Sequence, residues 1–282
     1  MRTASRCPSL RRVPDLLVRD AVLLASAERR RAIRPAILPY CDFMACARAV
    51  LFDVDFTLIY PGPMFQGHGY HAFCERHLIT VDPARFDAAV ASASSILDEA
   101  EGSPYDAELF VAYTRHIIEQ MGGTGCGTPE SLDACAREIY TEWAANQHFE
   151  LYDDVPAVLR ELTQAGIRVG LISNSHRCLD SFQSHFELRE FVAASVSSAD
   201  HGFMKPHPSI FQAALGKLRV APAEAVMVGD SVSQDIEGAL RAGMRAVLLR
   251  RGENALSREH ELHARGVPVI RSLAELRNLV IE

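Results

Sequence analysis

From Arg48 onward, apolar residues fall in short runs separated by amphipathic stretches. AVLFDVD (49–55), IRVGLISNS (167–175), AVMVGDS (225–231) and AVLLRR (246–251) read as buried strands, with ASVSSAD (194–200) and VPVIRS (267–272) as weaker ones. Between them lie helical patterns: VPAVLRELTQAG ending at Gly166, then LDSFQSHF, HPSIFQAALGKL, VSQDIEGALRAG and LAELRNLV. Strands that are apolar on both faces and alternate with helices predict a parallel sheet covered on both sides. The fold class expected is α/β, with a doubly wound, Rossmann-like parallel-sheet core.

Residues 63–148 break this alternation. They contain no convincing strand and predict helices over 68–79, 83–100, 106–121 and 129–146. Pro63, Pro83, Pro104, Pro129 and the glycines at 122, 123, 125 and 127 punctuate them. A helical segment this long between the first and second sheet strands is expected to be a domain of its own, inserted after the first strand. The core is then 44–62 together with 149–282. Residues 1–43 differ again: nine Arg against four acids, with Pro8, Pro14, Pro35 and Pro39. They are expected to be a poorly ordered extension or the product of a start assigned upstream of Met44.

Composition narrows the class. The chain has 282 residues, 48% hydrophobic and 23% charged, ordinary values for a globular protein rather than a disordered or disulfide-stapled one. Its net charge of −7 argues against a general nucleic-acid binder, and no run approaches a membrane span. Seven cysteines without a Cys-x-x-Cys pair suggest reduced thiols and a cytoplasmic location. Of 29 basic residues only Lys205 and Lys217 are lysines.

Four strand ends carry candidate chemistry. Asp53 and Asp55, two apart, would share one face at the carboxyl end of the first strand, where open α/β sheets bind ligands. Paired carboxylates call for a cation, and magnesium prefers oxygen ligands; a solvated acidic loop is the plainer reading. Asp230 ends another strand and Asp235 opens the next helix, as a metal site or as helix caps. Ser173 and Asn174 offer a phosphate cradle or simple turn chemistry. Lys205, between Met204 and Pro206, could neutralise accumulating negative charge or be a solvated surface lysine.

Taken in order, FDVDFTL (52–58), LISNS (171–175), Lys205 in GFMKPHPSIF and VMVGDSVSQDIEGALRAGM (226–244) resemble the motif set of the haloacid dehalogenase (HAD) superfamily, over about residues 48–251. The helical insert resembles that family's type-1 cap. The resemblance implies that Asp53 is a nucleophile forming an aspartyl phosphate and Asp55 a general acid/base. It implies that Thr57 supports this loop at the substrate, that Ser173 and Asn174 bind phosphate, and that Lys205 stabilises nucleophile and phosphoryl group. Asp53, Asp55 (through its backbone carbonyl), Asp230 and Asp235 would hold Mg2+. The function implied is magnesium-dependent hydrolysis of a small phosphorylated metabolite; the alternatives are a sugar-phosphate phosphomutase and a non-catalytic binding or regulatory member. Asp55 speaks against dehalogenation, and an insert without lysine speaks against phosphonate hydrolysis. The sequence departs from the family pattern at Phe56, where glycine usually stands. Partners other than the phosphorylated substrate are not indicated: no nucleic acid, no membrane, and an open oligomeric state.

Further expectations concern the insert. His68, His71 and His77 are expected to face the catalytic strand tips and contact substrate. Trp143, Phe110 and Tyr113 are expected in the insert's core, and Cys178 as a buried thiol. His207 is expected to be structural.

Overall fold

A computed structural model describes residues 47–123, 128–252 and 259–281. The extension expected over 1–43 and the residues up to Cys46 lie outside the described residues, as does Cys126. The chain enters on β1 (Ala49–Phe52), turns into β2 (Ile59–Pro61), and passes through helices α1 (Gly67–Arg76), α2 (Phe86–Glu99), α3 (Ala107–Gln120) and α4 (Pro129–Glu142) before returning on β3 (Phe149–Leu151). It continues through α5 (Val155–Gln164), β4 (Arg168–Ser173), α6 (Leu179–His185), β5 (Val192–Ser197), α7 (Pro208–Leu218) and β6 (Ala225–Gly229). A π-helical turn (Val232–Glu237) runs into α8 (Gly238–Arg241), followed by β7 (Arg245–Leu249), α9 (Glu259–Ala264), β8 (Val269–Ile270) and α10 (Arg277–Val280).

Among the described residues, six strands form one sheet in the order β5-β4-β1-β6-β7-β8, every pair parallel. This is the α/β core expected from the strand–helix alternation. Period-two packing divides its interior. Val50, Phe52, Leu171 and Val228 face one side, where α5 supplies Val155, Val158 and Leu159. Ala49, Leu51, Met227 and Leu248 face the other, against Ile210, Phe211 and Leu215 of α7. The weak strand expected over 267–272 shrinks to Val269–Ile270 at the sheet edge.

The helices of the insert start where capping chemistry dictates. The Asp106 carboxylate accepts from the Glu108 N–H at the start of α3, and Thr128 accepts from the Ser131 N–H at the start of α4. Their apolar stripes, including Val111, Ile117, Leu132 and Ile139, are continuous with the core on the α5 side of the sheet. Cys74 and Cys135 meet there with their sulfurs 3.9 Å apart as free thiols. An antiparallel ribbon pairs β2 with β3, Tyr60 opposite Glu150, and so closes the two ends of the insert on each other. The sequence pattern did not foresee this ribbon, since three-residue strands are too short to show a period. No helix among the described residues is long and apolar enough to cross a membrane.

Candidate active site

Strand register places the chemistry on one rim. Phe52, the last residue of β1, pairs with Leu171 of β4 on one side and Val228 of β6 on the other. The residues that follow, Asp53, Ser173 and Asp230, therefore emerge together at the carboxyl edge. The Asp53 N–H extends the ladder by one bond to the Val228 carbonyl, at 2.9 Å. The order β4-β1-β6 reverses the direction of chain travel at β1, and such switch points open a crevice in parallel sheets.

Three carboxylates converge there. Asp53, Asp230 and Asp235 each offer an oxygen within 4.8 Å of the others. Lys205 is buried among them, 1% exposed. Its Nζ donates to Asp53 Oδ1 at 2.5 Å, to Asp235 Oδ1 at 2.7 Å and to the Ile172 carbonyl at 3.2 Å. The solvated-surface reading of Lys205 is thereby overturned. Asn174 fixes the lysine's backbone: its Oδ1 accepts from the Lys205 N–H at 2.7 Å and its Nδ2 donates to the Lys205 carbonyl at 3.0 Å. Asp235 sits so close to the end of β6 that a Cβ on Gly229 would lie 2.2 Å from its Oδ2, so glycine is required there by contact. That oxygen accepts from the Ser231 N–H at 3.1 Å.

Burial and crowding set the charge balance. Burial, reinforced by Asp235, pushes the Asp230 carboxyl up to about 7. Burial also raises Asp53 well above the ordinary carboxylate range; Lys205 opposes this, and Asp235 and Asp230 add to it. For Lys205 burial disfavours the charge, but Asp235 and Asp53 outweigh it and hold the ammonium protonated. One buried cation against two buried carboxylates and the half-buried Asp230 leaves a surplus of negative charge in an all-oxygen donor set. That fits a hard divalent ion, since anions crowded at this range are raised in energy until a cation joins them.

Asp55 lines the same cavity as Asp53, as their spacing implied, with its carboxylate outside the group of three. β1 ends at Phe52 and the chain turns at Phe56, which lies in the left-handed region at φ 63°. The Asp55 carboxylate consequently stays apart from Asp53, Asp230 and Asp235. It accepts from Arg177 Nη2 at 3.0 Å and from Ser173 Oγ at 3.4 Å. Arg177 was not singled out in the sequence. It is almost wholly buried, with Nη1 donating to Asn146 Oδ1 at 3.2 Å and the guanidinium 4.1 Å from the Phe149 ring centroid. It therefore links the acid after β1 to both the end of the insert and β3.

Other expected residues lie elsewhere. Thr57 is fully buried, its Oγ1 without a hydrogen-bond partner and its carbonyl accepting from Arg251 at 2.9 Å; it does not line the cavity. Ser173 is buried just below the cavity, with its Oγ 2.8 Å from that of Ser175. His77 pairs with Glu138 at 2.6 Å and His71 faces Glu75 at 3.6 Å; neither they nor His68 line the cavity. Their expected substrate contact is overturned, because the helix turns those positions toward acids of the insert. Cys178 is exposed rather than buried, since it precedes α6 on its solvent side. Trp143, Phe110 and Tyr113 are half-buried and line the cavity, and Tyr113 and Trp143 also pack against the core as expected. His207 has a structural place, capping α7 by accepting from the Ser209 N–H.

Comparison with known proteins agrees with this architecture. Residues 47–243 match the family model described as haloacid dehalogenase-like hydrolase. The chain is 32% identical over 218 residues to a glyceraldehyde 3-phosphate phosphatase of Methanopyrus kandleri, covering 73% of this chain and 85% of that one. It is 28% identical to haloacid dehalogenase-like hydrolase domain-containing protein 3 of Danio rerio, covering 72% and 85%. A crystal structure of a HAD phosphatase from Thermococcus onnurineus superimposes with a TM-score of 0.55 at 25% identity, over 82% of this chain and 97% of that one. The chain belongs to the haloacid dehalogenase-like hydrolase family, and it is an enzyme of that class.

Proposed function

We propose that the protein is a magnesium-dependent phosphatase that hydrolyses a phosphate monoester through a phosphorylated aspartate. The observation that carries the reading is the meeting of Asp53, Asp230 and Asp235 around Lys205 at the switch point, with Asp55 held apart on Arg177. The phosphatase names of the relative from Methanopyrus kandleri and of the Thermococcus onnurineus structure support it. Asp53, Asp230 and the backbone carbonyl of Asp55 would hold the ion, with Asp235 organising Lys205 beside it. When bound, the ion supplies charge neutralisation for an anionic nucleophile meeting an anionic phosphate.

The chain's own groups do the rest. An Asp53 carboxylate oxygen attacks phosphorus while the bond to the ester oxygen breaks. Asp55, protonated, gives its proton to the departing oxygen, so an alcohol leaves rather than an alkoxide. Asp55 then accepts a proton from water as that water attacks the phosphorus of the aspartyl phosphate, releasing inorganic phosphate and restoring Asp53. Lys205 offsets the charge of the phosphoryl oxygens throughout, and Ser173 with the adjoining N–H groups orients them. Arg177 fixes Asp55 in place between the two steps. The β2–β3 ribbon lets the insert serve as a cap over the cavity, joined to the core by two short strands. A sugar-phosphate mutase would use the same floor, but the phosphatase names of the relative from Methanopyrus kandleri and of the Thermococcus onnurineus structure favour hydrolysis.

The test is hydrolysis of p-nitrophenyl phosphate with magnesium, with EDTA in its place, and by Asp53→Asn. Turnover that requires magnesium and vanishes in the variant is the expected result. Hydrolysis that survives Asp53→Asn unchanged overturns the mechanism.

A further inference from the structure

The cavity above the carboxylates has a second half that phosphoryl chemistry does not use. Its volume is about 470 Å³, in the range that encloses a small organic ligand. Val90 and Leu97 of α2, Leu109 and Phe110 of α3, and Trp143 after α4 form the wall opposite the catalytic rim. Glu101 is the sole formally charged lining residue that the insert contributes among the described residues. Lys205 is the only Lys or Arg lining the cavity among the described residues, and its ammonium is bonded to Asp53 and Asp235.

The wall carries some polar groups, among them Gln66, Tyr113 and Tyr140, within a lining that is mainly apolar. The Tyr140 and Tyr105 hydroxyls lie 2.5 Å apart. His176 stacks on Tyr140 with ring centroids 4.0 Å apart, and its Nε2 is buried without a partner. Phe56 adds a ring between the floor and the wall, 6.4 Å from Trp143, at a position where glycine would leave open space.

These features sort substrates. A second anionic group, such as a carboxylate or another phosphate, would enter this half with no free cation to meet it and with Glu101 nearby, and an unpaired buried charge is strongly disfavoured. A polyhydroxylated leaving group would exchange water for a wall on which apolar side chains outnumber polar ones. An alkyl or aryl group meets neither obstacle and gains by leaving water. We propose that the substrate is the phosphate monoester of a hydrophobic alcohol, carrying no charged group besides its phosphate. The proposal rests on the phosphatase reading above: the phosphate lies at Lys205 and the carboxylates, and the apolar group fills the insert side.

The test uses the full chain with magnesium. kcat/KM is measured for ethyl, butyl and hexyl phosphate, for phosphoserine and glycerol 1-phosphate as polar counterparts, and for acetyl phosphate as an activated mixed anhydride without a long tail. A rise of about threefold to fourfold per methylene is expected, bringing hexyl phosphate on the order of 10²-fold above ethyl phosphate, with phosphoserine and glycerol 1-phosphate below butyl phosphate. Leu97→Arg should pull the hexyl-to-ethyl ratio down by about tenfold or more, a ratio that partial misfolding does not alter. A flat or falling series, a preference for phosphoserine or glycerol 1-phosphate, or an unchanged ratio in Leu97→Arg overturns the proposal while acetyl phosphate is still hydrolysed. Failure to hydrolyse any of these esters or acetyl phosphate overturns the phosphatase reading and this proposal with it.

Discussion

The floor and the roof of the cavity are built by different rules. The floor gathers Asp53, Asp230, Asp235 and Lys205 at the carboxyl edge of the sheet, where the β4-β1-β6 ladder fixes the strand tips and Lys205 bonds Asp53 and Asp235. The roof is assembled from mainly apolar side chains on four helices of the insert, α1 to α4. A register-bound polar cluster tolerates little change, because each lost partner leaves a buried charge exposed to its neighbours. An apolar wall tolerates exchange of like for like. The reaction should therefore be set by the floor and the choice of substrate by the roof.

The largest effect expected on the floor comes from Asp53→Asn. It should lower kcat by about 10³-fold or more with the fold intact by circular dichroism, as removal of a covalent nucleophile does. Asp55→Asn should cost about 10² to 10⁴ in kcat, least for esters such as p-nitrophenyl phosphate whose leaving group needs no proton. A poor leaving group that reacts as well as a good one in Asp55→Asn would contradict the assignment.

Arg177→Met joins the two regions, since Arg177 touches Asp55, Asn146 and Phe149. Breaking a pair with one partner this buried should remove about 3 kcal/mol of stability, read in a urea titration, and lower kcat alongside. A stability loss with kcat unchanged would make Arg177 structural only.

Metal linkage is smaller and has a defined sign. The carboxyl of Asp230 moves from an ordinary 3.8 up to about 7 in the folded protein, through burial first and Asp235 second. A raised acid favours the fold below its unfolded value, and that advantage is lost as pH rises through about 7. A divalent ion competes with the proton for the same oxygens and restores the loss. Magnesium should thus raise Tm more at pH 8 than at pH 5, as followed by differential scanning fluorimetry. An equal shift at both values would count against ion binding at these carboxylates.

Phe56→Gly should have the smallest effect on stability. Removing a side chain from the left-handed region relieves about 1–2 kcal/mol, while loss of the Phe56–Trp143 contact gives back about 1 kcal/mol. The net change in thermal unfolding should stay within about 1 kcal/mol. The same variant should weaken discrimination among tails at the roof.

Much of the floor was legible in the sequence because strands buried on both faces leave unbroken apolar runs, and such runs end where the chemistry begins. Asp53, Asp230 and Lys205 could be placed in this way, and Phe56 stood out as a departure whose left-handed backbone explains why glycine suits that turn. Arg177 was not legible: an arginine in the polar turn SNSHR has no periodic signature, and its meaning comes from Asn146 and Phe149 about thirty residues earlier in the chain. The roof was legible only in part, for a related reason. Trp143, Phe110 and Tyr113 have the spacing of core residues, and a hydrophobic pattern reports which side chains leave water but not whether a void lies between them. The β2–β3 ribbon was too short to announce itself.

The most direct test of the central claim is acid-quenched mass spectrometry of the enzyme during turnover of p-nitrophenyl phosphate with magnesium. The expected result is a phosphoryl group on the peptide that contains Asp53, absent from Asp53→Asn and from a sample chelated before substrate is added. Steady turnover with that peptide unmodified, or with the label on another residue, would contradict the account.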